Sequence, residues 1–210
     1  EHVALARETA EKSMVLIKNA GGVLPFPRQV QRGVVLGRLA ALENTGDHGS
    51  SWVHPPYVIT PLEGLKRYLG DSVEVLHFDE SQVDAAKAAA RTADCVIIVA
   101  GCDFNDEGEF LTPDNGVEMS RILLSAYRNM GRPFKAVLLK LLTPLMSRFT
   151  KRADGLPVGG DRQSLELKPE QRRLIEEAGP VNPNTVVCLV AGSMLLTEGW
   201  ADKAPAVLCT

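Results

Sequence analysis

Two hydrophobic periods alternate along this chain. Val34-Val35-Leu36-Gly37, Cys95-Val96-Ile97-Ile98-Val99-Ala100-Gly101 and Asn184-Thr185-Val186-Val187-Cys188-Leu189-Val190-Ala191-Gly192 are short apolar runs, rich in β-branched residues and free of regular polar alternation. Such runs fit strands buried on both faces. Val73-Glu74-Val75-Leu76 reads as a further strand, and Ala206-Val207-Leu208-Cys209 as the beginning of another. Between them lie helical patterns. Leu5, Ala6, Ala10, Ser13, Met14 and Ile17 share one face at helical spacing, which predicts a helix over 3–18, ended by Asn19-Ala20-Gly21-Gly22. Thr60-Pro61-Leu62-Glu63 carries an N-cap threonine, a proline in the first turn and a glutamate three residues on, and so predicts a short helix start. Residues 83–92 are alanine-rich and 170–178 amphipathic, both helical by propensity and spacing.

Strands alternating with helices predict an α/β fold, a three-layer α/β/α sandwich with a mainly parallel sheet. The expected division is a linker helix and lead-in over 1–30 and one sandwich domain over 31–210, with a helical insertion at 115–155. Within that insertion, Val117, Ile122, Leu124, Tyr127 and Met130, then Val137, Leu138, Leu141, Leu145 and Phe149, suggest two amphipathic helices, the second kinked near Pro144. Its many arginines and lysines fit a helical insertion lying over the sheet or against a neighbouring domain, or else a membrane-surface or calmodulin-target-like helix. The chain stops inside its last predicted strand and lacks an initiator methionine, so a longer parent is expected.

Composition narrows the class. With 45% hydrophobic and 23% charged residues in 210, the chain is neither disordered nor fibrous. No apolar run approaches the roughly 20 residues of a membrane span. A formal net charge of −3 gives no general attraction to a phosphate backbone and argues against nucleic acid as principal partner. The cysteines at 95, 102, 188 and 209 show no C-x-x-C spacing, so neither a metal site nor a disulfide framework is expected. Unpaired buried thiols favour a reducing, cytoplasmic setting, while a secreted or periplasmic parent stays open.

Candidate chemistry gathers in three loops. Asp103-Phe104-Asn105-Asp106-Glu107-Gly108-Glu109 emerges from the 95–101 run, where open α/β sheets place ligands beyond the carboxyl ends of their strands. Crowded carboxylates raise one another's pKa, which is how a general acid is kept protonated; the same spacing also fits a solvated acidic loop. Gly159-Gly160-Asp161-Arg162 could fix a substrate hydroxyl, hold an active-site loop, or form a turn with a surface ion pair. Thr45 to Pro56 is a long loop in which Gly46, Gly49, Ser50 and Ser51 could bring N–H and hydroxyl donors to a ligand, or simply connect; His48 and His54 sit within it, without a metal-ligand partner. Trp52 and Trp200 could stack on a sugar ring or pack at the edge of the core. Dinucleotide, phosphate-loop and nucleophile-elbow signatures are absent, and no cofactor is implied.

Taken in order, these segments resemble the C-terminal α/β-sandwich domain of glycoside hydrolase family 3, the β-glucosidase and β-glucan exohydrolase family. The resemblance runs through Ala6 to Pro27, Gly46 to Gly64 (with Gly46-Asp47-His48-Gly49-Ser50-Ser51), Asp94 to Glu109 and Gly159 to Leu208. In that family the sugar lies between a (β/α)₈ barrel, which supplies an aspartate nucleophile, and the sandwich, which in many members supplies the acid/base glutamate on a loop reading Glu-Gly-x-Asp-Arg. Here Glu107-Gly108 matches the start of that motif and Asp161-Arg162 its end, displaced by the insertion. The resemblance implies retaining hydrolysis of a β-linked glucoside or oligosaccharide, Glu107 as acid/base with Glu109 as the alternative, and Asp47, His48, Gly49, Ser50, Asp161 and Arg162 as substrate-binding residues. Nucleophile and acid/base carboxyls of such a site stand about 5–5.5 Å apart. The barrel lies outside these residues, so the chain is expected to be one half of a site and inactive alone. The competing expectation is a non-catalytic carbohydrate-binding or interaction module of the same fold.

Overall fold

The computed structural model describes residues 1–27, 29–46, 53–107, 162 and 164–210. These divide into two compact units. The described part of the first comprises 1–27, 29–44, 54–103 and 164–210; that of the second comprises 45, 46, 53, 104–107 and 162.

The first unit is built on one six-stranded sheet in the order β1-β6-β5-β4-β2-β3. Its strands are β1 (Val15–Asn19), β2 (Arg32–Leu36), β3 (Glu74–Phe78), β4 (Cys95–Gly101), β5 (Thr185–Val190) and β6 (Ala206–Cys209). All pairings are parallel except that of β1 with β6. Helices α1 (His2–Ser13), α2 (Pro61–Leu69), α3 (Val83–Ala90) and α5 (Pro169–Ala178) belong to this unit, and the turn α4 (Phe104–Glu107) to the second.

Both faces of the sheet are covered, as the unbroken apolar runs require. On one face Val34, Leu36, Val96, Ile98 and Val187, all fully buried, pack with Val83, Ala86 and Ala90 of α3 and Leu174, Ile175 and Ala178 of α5. On the other, Val35 and Val99 pack with Leu39 and Ala40 and with Leu62 and Leu65 of α2. Each large aliphatic side chain buried this way contributes about 1.5–3 kcal/mol. Helix α2 starts as its sequence predicts: Pro61 occupies the first turn and Thr60 Oγ1 accepts from the Glu63 N–H at 3.2 Å.

The helix expected over 3–18 is corrected. It stops at Ser13, and Val15–Asn19 turns instead into the antiparallel edge strand β1. The competing force is non-local: without β1, strand β6 would present an unpaired row of backbone groups, and β-branched Val15 and Ile17 suit the pleat. Lys18 fastens the strand, its Nζ donating to the carbonyls of Ala201 at 2.7 Å and Ala204 at 2.9 Å. No residue of α1 is buried, so the apolar face at Leu5, Ala6 and Ala10 is not used for packing within the described chain. The two insertion helices expected within 117–152 lie outside the described residues.

Candidate functional site

Two adjacent parallel strands, β2 and β4, lead into an ion pair of the first unit. A glycine of positive φ follows β2, Gly37 at 98°, and another ends β4, Gly101 at 138°. A Cβ on Gly37 would lie 2.2 Å from the Val99 carbonyl oxygen, and one on Gly101 1.9 Å from that of Val190. Only glycine lets the backbone pass so close to the neighbouring strand. Arg38 follows the first glycine, and Asp103 lies two residues beyond the second.

These two side chains meet. Arg38 Nη1 stands 2.8 Å from Asp103 Oδ2, with the Asp103 side chain 1% exposed. A carboxylate so buried needs such a counter-charge. The intervening residues are held as well. Cys102 N–H donates to the Val190 carbonyl at 2.8 Å, and Asn44 Nδ2 donates to the Cys102 carbonyl at 3.3 Å. Gln171 of α5, 2% exposed, sets its amide against Gly101: Nε2 donates to the Gly101 carbonyl at 3.0 Å, and Oε1 lies 3.4 Å from the Gly101 N–H.

In the second unit, α4 carries Phe104, Asn105, Asp106 and Glu107. Glu107 Oε1 is 2.9 Å from Arg162 Nε, and the Arg162 side chain is 9% exposed. Residues remote in sequence, from the acidic loop and from the Asp161-Arg162 cluster, are therefore brought together. Within the described part of the acidic loop, Asp103 stands beside Arg38 and Glu107 beside Arg162. Of the other expected site residues, Asp47, His48, Gly49, Ser50, Glu109 and Asp161 lie outside the described residues.

Trp200 is 1% exposed and its indole Nε1 donates to the Leu196 carbonyl at 3.0 Å, so it packs in the core rather than offering a stacking face. All four cysteines are free thiols. Burial, with a smaller contribution from the Asp94 charge, pushes the Cys95 thiol up to about 11, and burial pushes Cys188 up to about 11; neither is poised as a nucleophile. Among the described residues no helix is long and apolar enough to cross a membrane, and no cluster of three or more His, Cys, Asp or Glu forms a metal site.

Sequence reasoning passed over Arg38, Asn44 and Gln171. The available signal for Arg38 was its place directly after a glycine-terminated buried strand. Gln171 gave less, since a glutamine between charged residues on an amphipathic helix reads as surface.

The profile of the glycosyl hydrolase family 3 C-terminal domain matches residues 14–210. Thermostable β-glucosidase B of Acetivibrio thermocellus is 25% identical across 99% of this chain, which spans 22% of that protein. A β-xylosidase of Formosa agariphila is 24% identical across 100% of the chain, 24% of its own length. Among solved structures, a family 3 β-glucosidase of Bifidobacterium adolescentis superposes with a TM-score of 0.62 over 99% of this chain and 24% of its own, at 22% identity, a likeness of fold. The chain thus spans about a quarter of the length of these relatives. With a family profile covering nearly all of its residues and a mostly parallel sandwich sheet to match, the chain belongs to glycosyl hydrolase family 3 as its C-terminal domain.

Proposed function

We propose that this domain supplies the general acid/base carboxylate of a retaining β-glycosidase, with Glu107 in that role and the aspartate nucleophile on a (β/α)₈ barrel. The observation that carries the reading is the Glu107–Arg162 pair at 2.9 Å. It joins the two halves of the Glu-Gly…Asp-Arg pattern that the insertion separates in sequence. The relatives' names, β-glucosidase and β-xylosidase, support a β-linked glucoside or xyloside as substrate class.

The mechanism divides between the two carboxyls. The barrel aspartate attacks the anomeric carbon while Glu107 gives a proton to the departing glycosidic oxygen, leaving a glycosyl-enzyme ester. Glu107, now ionised, takes a proton from water, which attacks the same carbon and frees the sugar and the aspartate. The Arg162 guanidinium, with Nε 2.9 Å from Glu107 Oε1, is the neighbouring cation that orients the carboxyl. Asp47, His48, Gly49, Ser50 and Asp161 are assigned to holding sugar hydroxyls, and Glu109 is the alternative acid/base.

The 210-residue chain alone should not hydrolyse an aryl β-glucoside. Joined to its barrel it should, and Glu107→Gln should lower kcat on an alkyl β-glucoside about 10²–10⁴-fold, the usual worth of a positioned proton donor. Turnover by the isolated chain that Glu107→Gln abolishes would contradict the divided site. Full activity of the joined Glu107→Gln enzyme would remove Glu107 from the mechanism, and full activity of Glu109→Gln as well would favour a non-catalytic module.

A further inference from the structure

The residues that carry the chain out of β4 are held by more than the sheet. Gly101, Cys102 and Asp103 come directly before the turn bearing Glu107, and each is gripped from elsewhere in the first unit. Cys102 has backbone contacts to Val190 and Asn44, and Asp103 has Arg38. Gly101 has Gln171.

Gln171 stands out because it is a polar side chain on the buried face of α5, beside Leu174, Ile175 and Ala178. Burying a primary amide there costs free energy unless its donor and acceptor are used. They meet one peptide residue, N–H to carbonyl and carbonyl to N–H, in the manner of an adjacent strand. The fold could have filled this place with an aliphatic residue, as it does at the neighbouring positions on the same face. What the amide adds is a fixed orientation of the Gly101 peptide, whose φ is 138°.

We propose that Gln171 is a positioning residue for the acid/base loop: by clamping Gly101 it sets the direction in which the chain leaves β4 toward Glu107. This rests on the acid/base role of Glu107. A small error in placing a proton donor costs most when the leaving group needs the proton, and little when it departs unaided. Leaving-group dependence is thus a readout that mere loss of stability does not move.

The test uses the domain joined to its barrel and compares kcat/KM for an alkyl β-glucoside with that for 2,4-dinitrophenyl β-glucoside. Gln171→Met, similar in length but unable to bridge Gly101, should lower the first about 10- to 100-fold and the second by less than about threefold. Leu174→Val on the same helix is the control, expected to lower Tm and leave the ratio of the two unchanged. Should Gln171→Met fail to fold, Gln171→Leu replaces it: an aliphatic side chain like its neighbours on this face, with both bonds to Gly101 lost, and the same direction of shift. A wild-type ratio in the folded Gln171 variant, or an equal shift in Leu174→Val, would overturn the proposal. Glu107→Gln run alongside separates the two ideas. If it leaves the alkyl substrate untouched, the acid/base assignment has failed; if it abolishes that activity while the Gln171 variant keeps the wild-type ratio, only the clamp has.

Discussion

The exits of β2 and β4 use the same backbone device to different ends. Gly37 and Gly101 both take positive φ, and both press against a carbonyl of the next strand. At Gly37 the surroundings are continuous with the sheet: its N–H donates to the Phe78 carbonyl at 2.9 Å, its carbonyl accepts from His77 Nε2 at 3.1 Å, and Glu80 accepts the Arg38 N–H at 3.0 Å. All three partners belong to β3 or to the residues just after it. At Gly101 the partners come from β5, from α5 and from the residues after β2. An exit gripped from several independent elements can be loosened at one of them without unravelling the sheet, whereas the β2 exit takes these three hydrogen bonds from β3 and the residues after it and adds one ion pair, Arg38 to Asp103. The glycines make the turns; the side chains decide how exactingly each turn is aimed.

The largest effect should come from the glycines themselves. Gly101→Ala and Gly37→Ala place a Cβ within 1.9 and 2.2 Å of a backbone oxygen, and a backbone oxygen in a central sheet cannot step aside. Destabilisation on the order of 3–5 kcal/mol, or failure to fold, is expected in urea titrations of the domain. A loss below about 1 kcal/mol at either site would mean the strand exits are not tight.

Next comes the ion pair that joins the two exits. Arg38→Met leaves the Asp103 carboxylate buried without its guanidinium and should cost about 1–3 kcal/mol; the half-exposed arginine keeps the figure below that of a fully buried pair. Adding Asp103→Asn should recover part of the loss. Additive losses in that double-mutant cycle would show that the two residues do not interact. His77→Phe, which removes the donor to Gly37, should cost about 1 kcal/mol in thermal melts and leave the leaving-group ratio unaltered, unlike changes at Gln171.

The smallest effect concerns acid. Asp94, just before β4, accepts the N–H groups of Arg32 at 2.8 Å and Gln31 at 2.7 Å, and these bonds hold its carboxyl below the ordinary value. A depressed folded-state value stabilises the fold above the unfolded value of about 3.9 and loses that contribution as pH falls through the folded one. Asp94→Asn should therefore lower Tm slightly at neutral pH, with the gap from wild type closing below about pH 4. A gap that widens in acid would reverse the assignment.

Much of this fold was legible because its strands are buried on both faces. The runs at 95–101 and 206–209 coincide with β4 and β6, and the Thr60-Pro61 signal with the start of α2. Local chemistry fixes such elements. Residues 15–19 misled because Met14 and Ile17 continue the helical spacing of α1, and only the distant edge of β6 makes a strand of them. Of the two ion pairs beyond the strand ends, only one was signalled in the sequence. Glu107 and Arg162 carried motif signals, whereas Arg38 and Gln171 act through partners 65 and 70 positions away, a distance that local spacing cannot span.

The central claim is that Glu107 is the proton donor and acceptor of a divided glycosidase site. Azide tests it most directly, because a small anionic nucleophile can resolve the glycosyl-enzyme ester when the general base is gone and would be repelled by it when present. In the barrel-joined enzyme acting on 2,4-dinitrophenyl β-glucoside, azide should restore turnover of Glu107→Ala and yield β-glucosyl azide, while leaving Glu109→Ala unchanged. Rescue of Glu109→Ala but not of Glu107→Ala would contradict the account.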